Sequence, residues 1–233
     1  MNKSTIVIPA YNEGERIKPT LDGYCKYFKD EADILVVVNG CTDNTEEVVK
    51  NLAGKYSNLK YLVTNDPGKG GAVYHGFKKA ETEYIGFVDA DMATTPQEYD
   101  KLIKAMDGND GVIASRYGKG AKITKRSFLR RLSSWVFRVV VKVVFWMPYT
   151  DTQCGAKIFS KKLITALMPK LNITNMTFDV DLLFKAKKAG FKVIEIPTIW
   201  IEKGSSAALG SPGKLLKSSI NMFATLFKIR FYG

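Results

Sequence analysis

A chain of 233 residues with 45% hydrophobic content is long enough to bury a sizeable core as one domain, and its three scattered cysteines exclude a disulfide-stapled scaffold or a CxxC zinc site. Arg138 and Lys142 split the best apolar stretch, SSWVFRVVVKVVFWMPY, below the ~18 residues of a membrane span, and the apolar core of MNKSTIVIPAYNEG is too short for a signal peptide. These features predict a soluble or peripheral protein of a reducing compartment, and the net charge of +12 points to an anionic partner: nucleic acid, a membrane surface or a phosphorylated substrate.

In chain order, short β-rich runs alternate with amphipathic segments: STIVIPA then 14–29, ADILVVV then 43–56, LKYLVT then 70–81, YIGFVDA then 96–106, and finally DGVIASR. The alternation predicts βαβ units and a mostly parallel sheet covered by helices on both faces. Such sheets bind ligands beyond the carboxyl ends of their strands. The loops PAYNEGE, VNGCTDNT, NDPGKGG, DADMATTP and SRYGKGA are therefore where a site would form.

After residue 120 the basic stretch KITKRSFLRR leads into a valine-rich segment ending at Met147, and YTDTQCGAKIFS reads as a turn and short strand. Helices around 161–168 and 178–189, a strand KVIEIPTIWIE, a Gly/Ser loop at 204–213 and a helix from Pro212 follow. With no linker or internal repeat, residues 1–233 read as a single domain whose second half completes the site of the first.

Asp89 and Asp91 flank Ala90 at a strand end, where alternation puts both carboxylates on one face. Leaving both ionised requires a cation between them or generous solvation. Magnesium, usually held by one or two carboxylates plus phosphate oxygens, meets the first need. A solvated, helix-capping pair before TTPQE meets the second. NDPGKGGAVYHGF sets Gly68, Lys69, Gly70 and Gly71 just before a helix, where amides and a lysine can meet phosphate, but it has neither P-loop nor GxGxxG order and a plain turn is the alternative. His75, the only histidine, has no acid or serine at a telling spacing and reads as a surface or packing residue.

If residues 122–142 are helical, Arg131, Arg138 and Lys142 share a narrow stripe with Ser127, Ser134 and Trp135, and the rest of the surface is Val, Phe and Leu. Such a helix can lie at an anionic membrane interface, whereas VVVKVVF also has the β-branched content of a buried strand; the helix is the favoured reading. The last helix, with Ser211 as N-cap and Pro212 at its first position, spaces Leu216, Ile220, Phe223 and Phe227 helically among Lys214, Lys217, Lys228 and Arg230. It can pack on the sheet or form a second membrane face. A nucleic-acid-binding protein would carry a recognition helix or aromatic stacking motif beside its basic patch; here the cations alternate with aliphatics, so no nucleic acid is expected.

Together, IVIPAYNEGE, VVVNGCTDNT, GKGGAV, DADMATTP, SRYGKG, DTQCGAKIF and FDVDLLFKA occur in the order and approximate spacing of the glycosyltransferase family 2 catalytic domain. Over about residues 4–206 the chain resembles its dolichyl-phosphate glucosyltransferase and dolichyl-phosphate mannose synthase branch, with DTQCG and FDV closer to the glucosyltransferases. The resemblance implies a GT-A, Rossmann-like α/β fold with C-terminal amphipathic helices, a nucleotide-sugar-binding half at about 1–120 and an acceptor- and membrane-facing half at about 121–233. It implies inverting transfer of a sugar from a nucleotide-diphosphate donor to a polyprenyl or dolichyl phosphate, by a cytoplasmic protein peripheral on the cytoplasmic face of a membrane. By the same similarity Pro9, Tyr11, Glu13, Asn39 and Asp89 would hold base and ribose, with Ala90 small enough for the donor to approach and Lys69 near its phosphates. Asp91 would bind Mg2+ or Mn2+ on the diphosphate. Arg116, with Arg130 or Arg131 and the neighbouring Ser134, would grip the lipid phosphate. Two departures stand out: Val38 and Asn39 replace the paired aspartates that family members often carry before Gly-Ser, and Ala93 replaces the glutamine that in the mannose synthases can join the metal shell, which tilts the donor toward a UDP-sugar over GDP-mannose.

An acceptor phosphate is already ionised near neutral pH, so it needs no strong base; catalysis then rests on in-line positioning and on neutralising the departing diphosphate. If the acceptor were a sugar or polysaccharide hydroxyl, a base would be required. Asp179 and Asp181 are the candidates, with helix capping by Asp179 as the alternative.

Overall fold

The structure, a computed structural model, describes residues 3–66, 68–124, 128–201 and 212–232, without the side chains of 128–133, 212–220 and 232. The strands in chain order are β1 (Ser4–Ala10), β2 (Ala32–Asn39), β3 (Leu59–Thr64), β4 (Tyr84–Val88), β5 (Gly111–Ser115), β6 (Lys122–Ile123), β7 (Ala156–Ser160), β8 (Val193–Pro197) and β9 (Ile199–Trp200). The helices are α1 (Ile17–Phe28), α2 (Thr45–Ala53), α3 (Lys69–Lys79), α4 (Pro96–Lys104), α5 (Phe128–Phe145), α6 (Lys161–Leu167), α7 (Phe178–Lys188) and α8 (Pro212–Tyr232).

Seven strands form one sheet in the order β3-β2-β1-β4-β7-β5-β8. β1 to β4 are mutually parallel, as are β5 and β8, while β7 runs antiparallel between β4 and β5. Alternating side chains feed two apolar layers. Ile6, Ile8, Ile34, Val36 and Val38 pack with Leu21 and Tyr24 of α1, Val49 of α2 and Tyr99 of α4. Val7, Leu35, Val37 and Phe87 pack with Phe77 of α3 and Phe178 of α7, and Phe137 and Leu226 bring α5 and α8 into the same layer. The chain leaves β1 toward β2 and β3 on one side and returns to β4 on the other, which opens a crevice at the carboxyl ends of β1 and β4.

Local chemistry fixes the helix starts. The Thr95 hydroxyl accepts from the Glu98 amide with Pro96 in the first turn, and Ser160 caps α6 through the Leu163 amide. Capping of α4 therefore falls to Thr95 and not to the aspartates upstream.

Two expectations are corrected, and the favoured helical reading of the valine-rich segment holds. The segment KVIEIPTIWIE is not one strand: it breaks after Pro197, which has no N–H for the ladder, and Ile199–Trp200 pairs with an unexpected strand at the start of the basic stretch. The valine-rich segment is the helix α5, not a buried strand, and seats Phe137, Val141 and Phe145 in the core. Arg138 leaves the anticipated basic stripe, its guanidinium lying 3.6 Å from the ring centre of Tyr117. α8 carries apolar residues on both sides, with Leu226 and Ile229 buried and Phe227 and Phe231 exposed. The Gly/Ser loop at 204–211, Ser211, and the side chains of Ser127, Lys214, Leu216, Lys217 and Ile220 lie outside the described residues.

Candidate active site

The crevice is a cleft of ≈ 350 Å³ lined by Pro9, Ala10 and Tyr11 after β1, Glu13, Asn39 at the end of β2, Asp89, Ala90 and Asp91 after β4, and Gly68, Lys69 and Ala72 at the start of α3. Every residue expected from the resemblance to contact the donor lies on its wall. Asn175 and Met176, just before α7, complete it. No motif marked those two, because they reach the cleft only by the close approach of this segment to α3. At Gly70 a Cβ would sit 2.5 Å from Phe178 Cβ and 2.9 Å from the Ile173 carbonyl oxygen, so the glycine is needed for contact with this segment. A broader hollow of ≈ 1020 Å³ at the opposite ends of the strands has mixed charges, with Lys3, Lys60 and Lys79 against Asp33, Glu81 and Glu83, and gathers no comparable set.

Lys69 forms an ion pair with Asp89. Burial draws the ammonium down, but the charges of Asp89 and then Asp179 override it and hold the lysine above its ordinary range, so it is a fixed cation at the helix start. The Asp89 amide donates to the Gly155 carbonyl (3.0 Å), and the Asp89 carboxylate lies where a side chain at 155 would be: a Cβ there falls 2.9 Å from Oδ1 and closer still to Cγ and Oδ2. Asp91 accepts the Ala93 amide on Oδ1 (3.0 Å), with Met92 between them at φ 58°. Burial and then the charge of Asp89 raise the Asp91 pKa. Glu13 is raised as well, by burial against the opposing Arg16, with Asp91 and Asp89 adding to it.

Glu13 is paired with Arg16 and Asp89 with Lys69, which leaves Asp91 as the cleft carboxylate with room for a divalent cation. Among the described residues no group of three or more His, Cys, Asp or Glu could hold a metal by itself. The chain thus offers a partial shell, centred on Asp91, of the kind that magnesium or manganese completes with phosphate oxygens. Ala93, read as a vacated metal position, has its side chain in the core layer beneath α1 and α4.

The two base candidates are both paired with lysines. Asp179 is buried with its Oδ1 2.7 Å from Nζ of Lys157, itself without solvent exposure, and Asp181 pairs within its own helix with Lys185 (2.8 Å). Burial raises both carboxyls, against Lys157 and Lys69 in the first case and Lys185 in the second. Neither lines the cleft.

Arg116 has an acidic partner as well. Its Nε and Nη2 donate to the two oxygens of buried Asp151 at 2.8 and 2.9 Å, its amide adds a third bond, and its guanidinium lies 5.3 Å from the Trp200 ring centre. Two of the five donors of the guanidinium are taken by this carboxylate, so Arg116 braces the loop after β5. The loop carrying Asp151 is pinned in turn by Glu195, which accepts the Thr150 and Asp151 amides at 2.8 and 2.6 Å. Ser134 is half-buried on α5; the side chains of Arg130 and Arg131 lie outside the described residues. His75 does have an acidic partner, its Nε2 hydrogen-bonding the carboxylate of Asp66 in the loop before α3.

Beyond the cleft, Trp135, Val136, Val139 and Val143 of α5 and Trp146 just after it are exposed, Val143 at 65% and Trp146 at 82%. Phe227 and Phe231 of α8 are exposed as well, and the helices touch through Phe137 and Phe223 (ring centres 5.8 Å apart) and a 3.2 Å bond from Arg230 Nε to the Val144 carbonyl. No helix among the described residues is long and apolar enough to cross a membrane.

A mostly parallel sheet whose strand-end crevice carries an aspartate pair and a half-buried lysine has the frame of an α/β transferase. The profile of the family described as Glycosyl transferase family 2 matches residues 5–167, and the chain belongs to that family. It is 34% identical over 221 residues to a dolichyl-phosphate beta-glucosyltransferase of Trichomonas vaginalis, covering 87% of this chain and 65% of that protein. It is 29% identical to a dolichyl-phosphate beta-glucosyltransferase of Dictyostelium discoideum, covering 97% and 73%. A crystal structure of glucosyl-3-phosphoglycerate synthase from Mycobacterium tuberculosis, in complex with Mn2+, UDP and glucosyl-3-phosphoglycerate, superposes with a TM-score of 0.76 at 18% identity, covering 98% of this chain and 80% of that one. That likeness is one of fold, and it gives the sheet and its helices the Rossmann-like GT-A architecture.

Proposed function

We propose that this protein is a metal-dependent hexosyltransferase that moves glucose from a UDP-sugar to a polyprenyl phosphate such as dolichyl phosphate, working on the cytoplasmic face of a membrane. The observation that carries the reading is the cleft itself. Asp89, Asp91, Lys69, Asn39 and the Pro9–Glu13 loop converge there in a chain similar over most of its length to dolichyl-phosphate beta-glucosyltransferases.

In this reading Pro9, Tyr11, Glu13 and Asn39 hold the nucleoside, and Ala90 leaves room for the donor. Asp91 holds Mg2+ or Mn2+ against the diphosphate, and the metal when bound supplies neutralisation of the leaving group. Lys69 brings a second positive charge to the same oxygens. The acceptor phosphate enters ionised and attacks the anomeric carbon as the nucleoside diphosphate departs, so this reading requires no carboxylate base. A hydroxyl acceptor would need one, and Asp179 and Asp181 are both occupied. The acceptor phosphate is received by Arg130, Arg131 and Ser134 at the start of α5, on the loop side that the Arg116–Asp151 pair braces. The apolar face of α5 and α8, with Lys142 and two tryptophans, rests on the membrane from which the lipid comes. Residues 1–120 thus supply most of the donor site and 121–233 the acceptor and membrane side, although Asn175 and Met176 also reach the donor.

Purified protein with Mn2+, labelled UDP-glucose and polyprenyl phosphate should produce a labelled lipid, and Asp91→Ala should abolish it while melting like the wild type. Transfer from GDP-mannose in preference to UDP-glucose overturns the donor assignment, and full activity of the variant overturns the metal assignment.

A further inference from the structure

Beneath the cleft lies a charge that no step of this reaction uses. Lys157 on β7 has no solvent exposure; its Nζ donates to the Cys154 carbonyl (2.6 Å), pairs with Asp179 (2.7 Å) and sits 5.2 Å from the ring centre of Phe87. Lys69 lies 5.5 Å from the centre of the same ring and 5.9 Å from that of Phe178, the residue before Asp179. Inward from the cleft the charges therefore alternate: Asp89, Lys69, Asp179, Lys157. Asp89 and Asp179 both attract Lys69.

Burying an ammonium carries a desolvation penalty, and a well-packed apolar pair in place of a buried ion pair is often neutral or stabilising. Packing alone therefore does not call for a lysine at 157. Electrostatics does. Asp179 is anchored at the start of α7 beside Lys69, and without its own counter-ion it would pull the Lys69 ammonium inward, away from Asp89 and from an arriving diphosphate.

We propose that Lys157 is a positioning residue of the donor site: by neutralising Asp179 it leaves Lys69 to Asp89 and to the donor diphosphate. The inference rests on the cleft being the nucleotide-sugar site. Its signature is a specific non-additivity. Lys157→Met keeps the competing carboxylate and removes its partner; Lys157→Met with Asp179→Leu removes both and fills their space.

The test is calorimetric titration of UDP into the Mn2+-loaded full chain, with GDP in its place if the wild type binds only that. The single variant should bind about tenfold more weakly or worse, and the double variant should return to within about threefold of the wild type. A pair that merely holds the fold would shift the melting temperature and leave both affinities alone. Wild-type affinity in Lys157→Met overturns the inference, as does a double variant no tighter than the single. Should Lys157→Met not fold, Lys157→Gln, which also removes the counter-ion and keeps Asp179, takes its place in both comparisons with the same outcomes. A wild type that binds neither nucleotide refutes the proposed function and the inference together, whereas wild-type binding with an indifferent Lys157→Met refutes only the latter.

Discussion

Gly155→Ala adds one methyl group behind the Asp89 carboxylate of the cleft and nothing to its charge. Gly155 is not among the residues with positive φ, so alanine meets no backbone strain there. The new Cβ would lie 2.9 Å from Asp89 Oδ1 and nearer still to Cγ and Oδ2, where real Cβ atoms essentially never come within 3.0 Å. The carboxylate must therefore withdraw by an amount on the order of 1 Å to regain ordinary contact, and it is tied to Lys69 on its other side. A displacement of about 1 Å at a reacting centre can cost ~100-fold, equivalent to about 2.7 kcal/mol of transition-state stabilisation. We expect kcat/KM for UDP-glucose to fall about 100-fold and Mn2+·UDP affinity to fall with it. The melting temperature should change little, because loss of glycine's freedom in the unfolded chain stabilises by about 0.4–1 kcal/mol and offsets part of the clash. Turnover and nucleotide binding within about threefold of the wild type would mean that the Asp89 carboxylate is not held where the donor needs it, and the account of the cleft would fail.

Asp151→Asn leaves the Arg116 guanidinium buried without a carboxylate, a loss of about 3–5 kcal/mol, or roughly 6–20 °C in melting temperature for a domain of this size. The Arg116 charge, prevailing over burial, holds the Asp151 carboxyl below its ordinary range, so its contribution is complete above that range and is lost as pH falls through the lower folded value. Melting curves of wild type and variant should accordingly stay equally far apart from neutral to mildly acid pH and converge only below the usual carboxylate range; a gap that closes near pH 6 contradicts the pairing. Replacing both Trp135 and Trp146 with glutamate should abolish co-sedimentation with vesicles containing anionic lipid and cut transfer to membrane-embedded polyprenyl phosphate, while UDP binding and melting stay close to wild type. Undiminished sedimentation would remove the membrane from the α5 and α8 face.

The parts of this protein that were legible in its sequence depend on local pattern. Each strand of the parallel half is a short apolar run with turn chemistry at its end, and sheet topology turns those ends into one crevice, so the DxD, GKGG and PAYNEG loops could be assigned to a common site before their contacts were known. What stayed hidden is pairing at long range. Nothing in AKIFS announces an antiparallel strand between β4 and β5, yet that insertion sets Gly155 against Asp89 and Lys157 under the cleft. The partners of Arg116 and of the FDVD aspartates stayed hidden for the same reason. A residue type and its place at a strand or helix end reveal what a side chain is able to bind, whereas its availability depends on which partner the rest of the chain delivers. Asp151 arrives from the loop before β7 and takes two of the Arg116 donors, and Lys157 arrives on β7 and neutralises Asp179. Asp89 and Asp91 remain turned to the cleft because the lysine delivered to them, Lys69, compensates only one of the two. One strand, out of order in the sheet, thus separates the acids that can meet a metal from the acid that cannot.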